Sequence, residues 1–166
     1  MKREEALTLL EEVGCPENVI DHCEAVSKKA AAIARKAKKS YSIDHTLVEI
    51  GGLLHDIGRA VTHRIDHGIV GAHILQEEGI NGDLQKICER HVCAGIPKAV
   101  AEEIGLPPRD FVPVTTEEKI VCHADNLTNH TLQELREGWK TFFGSKNGKI
   151  IVALLDKLHK ELEPYL

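Results

Sequence analysis

His55 and Asp56 close an apolar run, Leu53-Leu54-His55-Asp56-Ile57-Gly58, and have the most chemistry to offer of any pair in the chain. A carboxylate beside Leu53, Leu54 and Ile57 loses hydration unless a positive or hydrogen-bonding group replaces it. A divalent cation would settle both residues, taking a nitrogen from His55 and an oxygen from Asp56. The plainer alternative makes the pair the polar end of a core helix that Gly58 terminates. What weighs against it is that matching residue types occur elsewhere. His22 falls in one apolar-periodic segment and Asp125 in another, each flanked by core-type residues. Two nitrogens and two carboxylates, with no thiolate, suit Mn, Fe, Co, Ni or Zn and do not look like an all-sulfur structural site.

The order His22, then His55-Asp56, then Asp125 resembles the ligand pattern of the HD superfamily of metal-dependent phosphohydrolases, over residues 19–130. Asp66-His67-Gly68-Ile69-Val70-Gly71, followed by Ile74-Leu75, looks like the third motif of binuclear members, and Ile87-Cys88-Glu89-Arg90-His91 is similar to the fourth. The resemblance implies a metal set of His22, His55, Asp56, His67, His91 and Asp125, holding one or two divalent ions. With two, Asp56 would bridge and His67 and His91 would bind the second. Taken singly, each of those two histidines reads as a helix-terminal or core residue with a hydrogen-bonded partner. Many members carry lysine where Arg59 stands, contacting a substrate phosphate; arginine can grip phosphate bidentately, so the role survives the change. His63, in the same connector, is a candidate general acid for the leaving group, or else a solvated loop histidine. Asp56, Arg59 and His63 are thus the catalytic candidates.

Two ions roughly 3.5–4 Å apart would clamp the attacking and leaving oxygens of an in-line displacement. The implied reaction is hydrolysis of a phosphate ester or anhydride of a small, nucleotide-like molecule. Cyclic-di-GMP phosphodiesterases of the superfamily carry a paired histidine and a Gly-Tyr-Pro loop. Here Val92 follows His91, and Gly95-Ile96-Pro97 is only a loose echo. Two rival classes share features with this chain: di-iron oxygenases that use the same four-His, two-Asp set, and non-catalytic modules that bind a nucleotide. Arg59 favours hydrolysis over the first, and the intact ligand set argues against the second.

The elements that must position these residues are helical throughout. Apolar spacing predicts helices over 3–12, 16–39, 44–57, 66–78, 82–92, 97–105, 116–130 and 149–163, with the glycine- and lysine-rich stretch 138–149 a loop or broken helix. Gly51-Gly52 inside the third suggests close helix packing, and Thr115-Thr116-Glu117-Glu118 is a capping-box signature. No alternating strand pattern interrupts them. The expected fold is all-α, a multi-helix bundle with the metal site between helices. One domain over 1–166 is expected, with helix 149–163 packed on the motif core.

Composition narrows the rest. With 21 basic and 26 acidic residues the net charge is −5, so no global basic field recommends a nucleic-acid partner. Neither an apolar leader nor a run of about 20 apolar residues is present, which points to a cytoplasmic protein without a membrane partner. A homo-oligomer stays open. Five cysteines without a Cys-x-x-Cys pair read as small reduced core residues. Trp139, Phe142 and Phe143, near the tail, suit a lid, a dimer interface or the edge of the core.

Overall fold

The computed structural model describes residues 1–166. Its helices are α1 (Arg3–Glu12), α2 (Glu17–Ala37), α3 (His45–Leu54), α4 (His67–Glu77), α5 (Gly82–Arg90), α6 (Lys98–Glu103), α7 (Thr116–Asn126) and α8 (Leu132–Leu162). Short 3-10 turns occupy Ile57–Ala60 and Glu163–Tyr165. Isolated bridges pair Cys93 with Gly95 and Ile96 with Phe111, and there are no strands. The all-α expectation holds.

The long helix α2 forms the axis, because its apolar stripe recurs every three or four residues. Val19, Cys23, Val26, Ala30, Ile33 and Ala37 are all buried along it. Helices α3 and α7 flank α2, so the stripe is covered from two sides. At Gly52 the α2–α3 crossing is so tight that a Cβ would lie 2.6 Å from Ser27 Cα. The Ser27 hydroxyl, buried at that crossing, donates to the Glu49 carbonyl at 2.8 Å. The unusual Gly51-Gly52 pair in a helix interior is therefore a packing device.

Three boundaries differ from the spacing-based expectation. Helix α3 stops at Leu54, not at residue 57, because Asp56 (φ −104°, ψ 13°) turns the chain into the 3-10 turn. Helix α7 ends at Asn126, not at 130. The reason lies just downstream, where the Thr131 hydroxyl accepts from the Glu134 backbone while the Glu134 carboxylate takes the Thr131 N–H at 2.7 Å. That capping box starts a new helix. The stretch 138–149 is broken helix and not loop: α8 runs from Leu132 with a single break at Gly144 (φ 77°, ψ 176°). A positive φ here needs glycine, and it folds the two arms into an antiparallel hairpin. Arg136 on one arm meets Asp156 on the other at 2.7 Å, and a Cβ at Gly148 would press within 2.7 Å of Lys140 Cα. The second arm buries Ile151, Leu155, Leu158 and Leu162, as the apolar stripe of 149–163 predicted.

A histidine pair joins α7 to α8, with buried His123 Nε2 3.1 Å from the Nδ1 of half-buried His159. Burial pushes the His123 pKa down to about 4, helped by His159 and Lys29 nearby. His123 is thus neutral in the fold but protonates in the unfolded chain below about pH 6.5. Its contribution is complete above that value and is lost as pH falls toward 4. Urea unfolding at pH 7 and pH 5 should show about 2 kcal/mol of acid-dependent loss from this group. His123→Gln should flatten that slope, and an unchanged slope in the variant would refute the assignment.

Candidate metal centre

Five of the six metal candidates stand at or near helix ends, and the local backbone explains how they are aimed. His55 follows α3, and its Nδ1 donates to the Gly52 carbonyl at 2.8 Å. His91 follows α5 and donates through Nδ1 to the Cys88 carbonyl at 2.6 Å. His67 opens α4, and its Nδ1 reaches the Arg64 carbonyl at 2.7 Å. Each ring thus uses Nδ1 on the carbonyl three residues before it. This fixes the tautomer and leaves Nε2 free to face inward.

The Nε2 atoms converge on Asp56. Its Oδ1 lies 3.2 Å from His67 Nε2 and 3.3 Å from His91 Nε2. Its Oδ2 lies 3.8 Å from His55 Nε2 and 3.9 Å from His22 Nε2. Asp125, near the end of α7, completes the second side, with Oδ1 2.9 Å from His22 Nε2 and 3.6 Å from His55 Nε2. All six candidates are brought together, and the Asp56 carboxylate sits between two groups of histidines.

Such an arrangement needs positive charge. His67 Nε2 and His91 Nε2 face each other at 3.1 Å although both rings already donate through Nδ1. His55 Nε2 and Asp56 Oδ1 are buried without a hydrogen-bond partner. Burial opposes charge on His55, yet Asp56 beside it prevails and raises its pKa well above the ordinary value. Burial likewise works against ionised Asp56, but His55, His67 and His91 hold its carboxyl well below the usual range. Asp125 is also depressed, by its hydrogen bonds to His22 and His55. His91 is pushed down by burial and so keeps its lone pair. Two overlapping sets, His22/His55/Asp125 and His55/Asp56/His91, bring ligand atoms within 4.8 Å of one another. The donor set and the orphaned atoms fit a divalent cation with mixed N/O ligation.

Arg59 and His63 lie where the cluster opens to solvent. Arg59 Nε donates to Asp56 Oδ2 at 2.6 Å, with one terminal nitrogen 3.4 Å from His67 Nε2. His63 is exposed at the mouth of the cleft beside Arg59 and Arg64. His45 and His73 are exposed and line no part of the cleft.

Several residues in or behind the site escaped the sequence reading. Asn129 places its side-chain amide nitrogen 3.1 Å from His22 Nδ1, where the other three rings have a backbone carbonyl. That N–H donates to Nδ1, the reverse of the carbonyl contacts, and only the amide oxygen turned to this side would accept from Nδ1 as a carbonyl does. Its place four residues after Asp125 was the available signal. Arg90 pairs with buried Glu118 at 3.0 Å, and Glu118 also accepts the Val114 N–H at 2.7 Å. The pair ties the end of α5, which carries His91, to the start of α7, which carries Asp125. Only the spatial contact of two distant helices reveals it.

The family model for the HD domain matches residues 19–130. An uncharacterized protein of Methanocaldococcus jannaschii is 56% identical over 128 residues, covering 76% of this chain and 75% of its own length. A tRNA (cytidine(56)-2'-O)-methyltransferase of Picrophilus torridus is 39% identical over 163 residues. That match takes in 96% of this chain but only 46% of the relative, so the chain spans under half of that protein. Among solved structures, the HD domain of the L. monocytogenes phosphodiesterase PgpH, in complex with cyclic-di-AMP, superimposes with a TM-score of 0.55. It is 18% identical, over 93% of this chain and 96% of that one, a likeness of fold.

The cluster depends on one close approach. A Cβ at Gly58 would lie 1.9 Å from the His67 carbonyl oxygen and 2.6 Å from Gly71 N, so Gly58 seats the start of α4 against the 3-10 turn. Gly58→Ala must push α4 and His67 outward. The expected outcome is a loss of about 1–3 kcal/mol of stability, with less metal retained after dialysis. Full metal content in a folded variant would show that His67 is not held by this contact.

Proposed function

The chain belongs to the HD-domain family, and from that premise we propose that it is a metal-dependent phosphohydrolase acting on a phosphate ester or anhydride of a small nucleotide-like molecule. The observation that carries this reading is the Asp56 carboxylate shared between two histidine groups, buried beneath an open cleft rimmed by Arg59 and Arg64. His22, His55, Asp125 and Asp56 Oδ2 would hold one ion, and His67, His91 and Asp56 Oδ1 a second. A divalent ion there polarises phosphoryl oxygens and makes water nucleophilic near neutral pH.

The protein's own groups do the rest. Arg59 keeps Nε on Asp56 and has terminal N–H groups left to neutralise charge that grows on a phosphoryl oxygen. His63, free in solvent within reach of the same cleft, is placed to give a proton to the leaving oxygen. Three backbone carbonyls orient His55, His67 and His91 with Nε2 toward the site, and Asn129 sits on the Nδ1 side of His22. The cyclic-di-AMP bound to the PgpH domain supports a nucleotide-like substrate.

The test is product release from cyclic nucleotides, dinucleoside polyphosphates and mononucleotides. Protein is stripped of metal and reloaded anaerobically with Mn²⁺ or Fe²⁺. Metal-dependent product is expected, and Asp56→Ala should lose more than the roughly 10–100-fold typical of removing an outer-shell partner. Bound metal with no product from any of them would overturn the proposal in favour of an oxygenase or a binding module.

A further inference from the structure

The cleft over the metal centre has a volume of about 370 Å³, within the range of small-molecule sites. Its floor is the histidine–aspartate cluster and one rim is cationic, with Arg59 and Arg64 and with His63 beside them. Another part of its lining is apolar. It comes from the first arm of α8, where Leu135, Trp139 and Phe142 recur on one face at helical spacing. This arm lies beyond residues 19–130, so the wall is not part of the segment that matches the family model.

The three wall residues differ in a telling way. Leu135 is buried and anchors the arm, and Trp139 is half-buried against the core beside Phe143. Phe142 is 68% exposed and leans on Phe143 edge-on, with ring centroids 4.8 Å apart. The core does not use this ring, yet it stands at the lip of a cleft. The hairpin beneath it is pinned by Arg136–Asp156 and by Asn147, whose amide donates to Glu103 on α6 at 2.7 Å. A fixed aromatic wall sharing a cleft with a cationic rim suits a ligand that is anionic at one end and flat and apolar at the other.

Resting on the phosphohydrolase reading of this site, we propose that Trp139 and Phe142 form a base-stacking wall that selects a purine nucleotide unit, with its phosphate at the Arg59 rim. Stacking tolerates any planar base and strengthens with its surface, so a purine gains most. A cleft of this size encloses one nucleotide unit, and a second unit of a longer substrate would extend into solvent past Phe142.

Trp139 is the chain's only tryptophan, so its fluorescence reports on this wall directly. Metal-loaded protein is titrated with AMP, ribose 5-phosphate and inorganic phosphate, following emission and, in parallel, calorimetric binding. AMP should quench Trp139 saturably and bind at least about tenfold more tightly than ribose 5-phosphate. Phe142→Ala, at an exposed position that leaves the melting temperature unchanged, should cut that margin to about threefold or less. Trp139→Leu, read by calorimetry alone, should do the same. Equal affinity for AMP and ribose 5-phosphate would overturn the proposal, as would an AMP preference that survives both substitutions. Emission that shifts with protein concentration and ignores AMP would also overturn it, by making the wall a contact between two copies of the chain. Binding is read apart from turnover, so an inert protein that still prefers AMP would count against hydrolysis alone. A hydrolase without that preference would count against stacking alone.

Discussion

A single buried carboxylate constrains everything around it. Asp56 has a side chain 5% exposed among Leu53, Leu54 and Ile57, where an ionised carboxylate is costly without compensation. Four imidazoles, Arg59 and a position for a cation supply that compensation. Each element contributes by ending in the right place: α3 stops one residue before His55, α5 ends just before His91, and α4 begins at His67. The last carbonyls of a helix have no partner within it. His55 and His91 use Nδ1–H to satisfy one of these carbonyls apiece, so one hydrogen bond completes the helix end and also aims the ring. Structural closure and ligand orientation are here the same interaction.

The small residues around the cluster follow from the same constraint. Bringing three helix ends onto one carboxylate demands close backbone approach, which Gly58 supplies at α4 and Gly71 supplies against Cys88. The cysteines fill the remaining space. Cys88 Sγ donates to the His55 carbonyl at 3.1 Å, and Cys122 Sγ to the His91 carbonyl at 3.3 Å. Burial drives both thiols well above their ordinary pKa, and Cys15 and Cys93 to about 11 and about 12. They remain protonated and unreactive, and their hydrogen bonds steady the carbonyls of two of the histidines. All five are free cysteines, in keeping with their reading as reduced core residues.

Much of this was legible in the sequence, and the reason is chemical. A histidine and an aspartate inside an apolar run carry a cost that only a few environments meet, so residue chemistry singled out His55 and Asp56, and the resemblance to HD proteins added His22, Asp125, His67 and His91. The helices announced themselves by periodicity because each has one face to bury. What escaped detection is what no single segment encodes. The Arg90–Glu118 pair joins helices 28 residues apart, and either residue alone reads as an ordinary surface charge. The first arm of α8 was obscured because Gly138, Gly144 and Gly148 lower helix propensity, and its exposed face leaves only a sparse apolar stripe. Gly144 is indeed non-helical, and it bends two helices into a hairpin, the broken helix that the composition had offered beside a loop.

The two walls of the cleft answer to different physical demands, and this separates chemistry from choice of substrate. The floor is fixed by helix ends whose hydrogen bonds and glycine contacts permit few alternatives, since moving any ring strands a buried polar atom. The α8 arm meets no such demand. It is held by buried Leu135, a surface ion pair, a glycine bend and a contact with α6, so Phe142, which the core does not use, could be exchanged for another side chain without disturbing Asp56. Substitution in such an arm changes what lies over the centre and leaves the centre's charge balance intact. On the proposed reading, the floor would set the reaction and the α8 wall the molecule that reaches it, so family membership speaks to the chemistry more tightly than to the ligand.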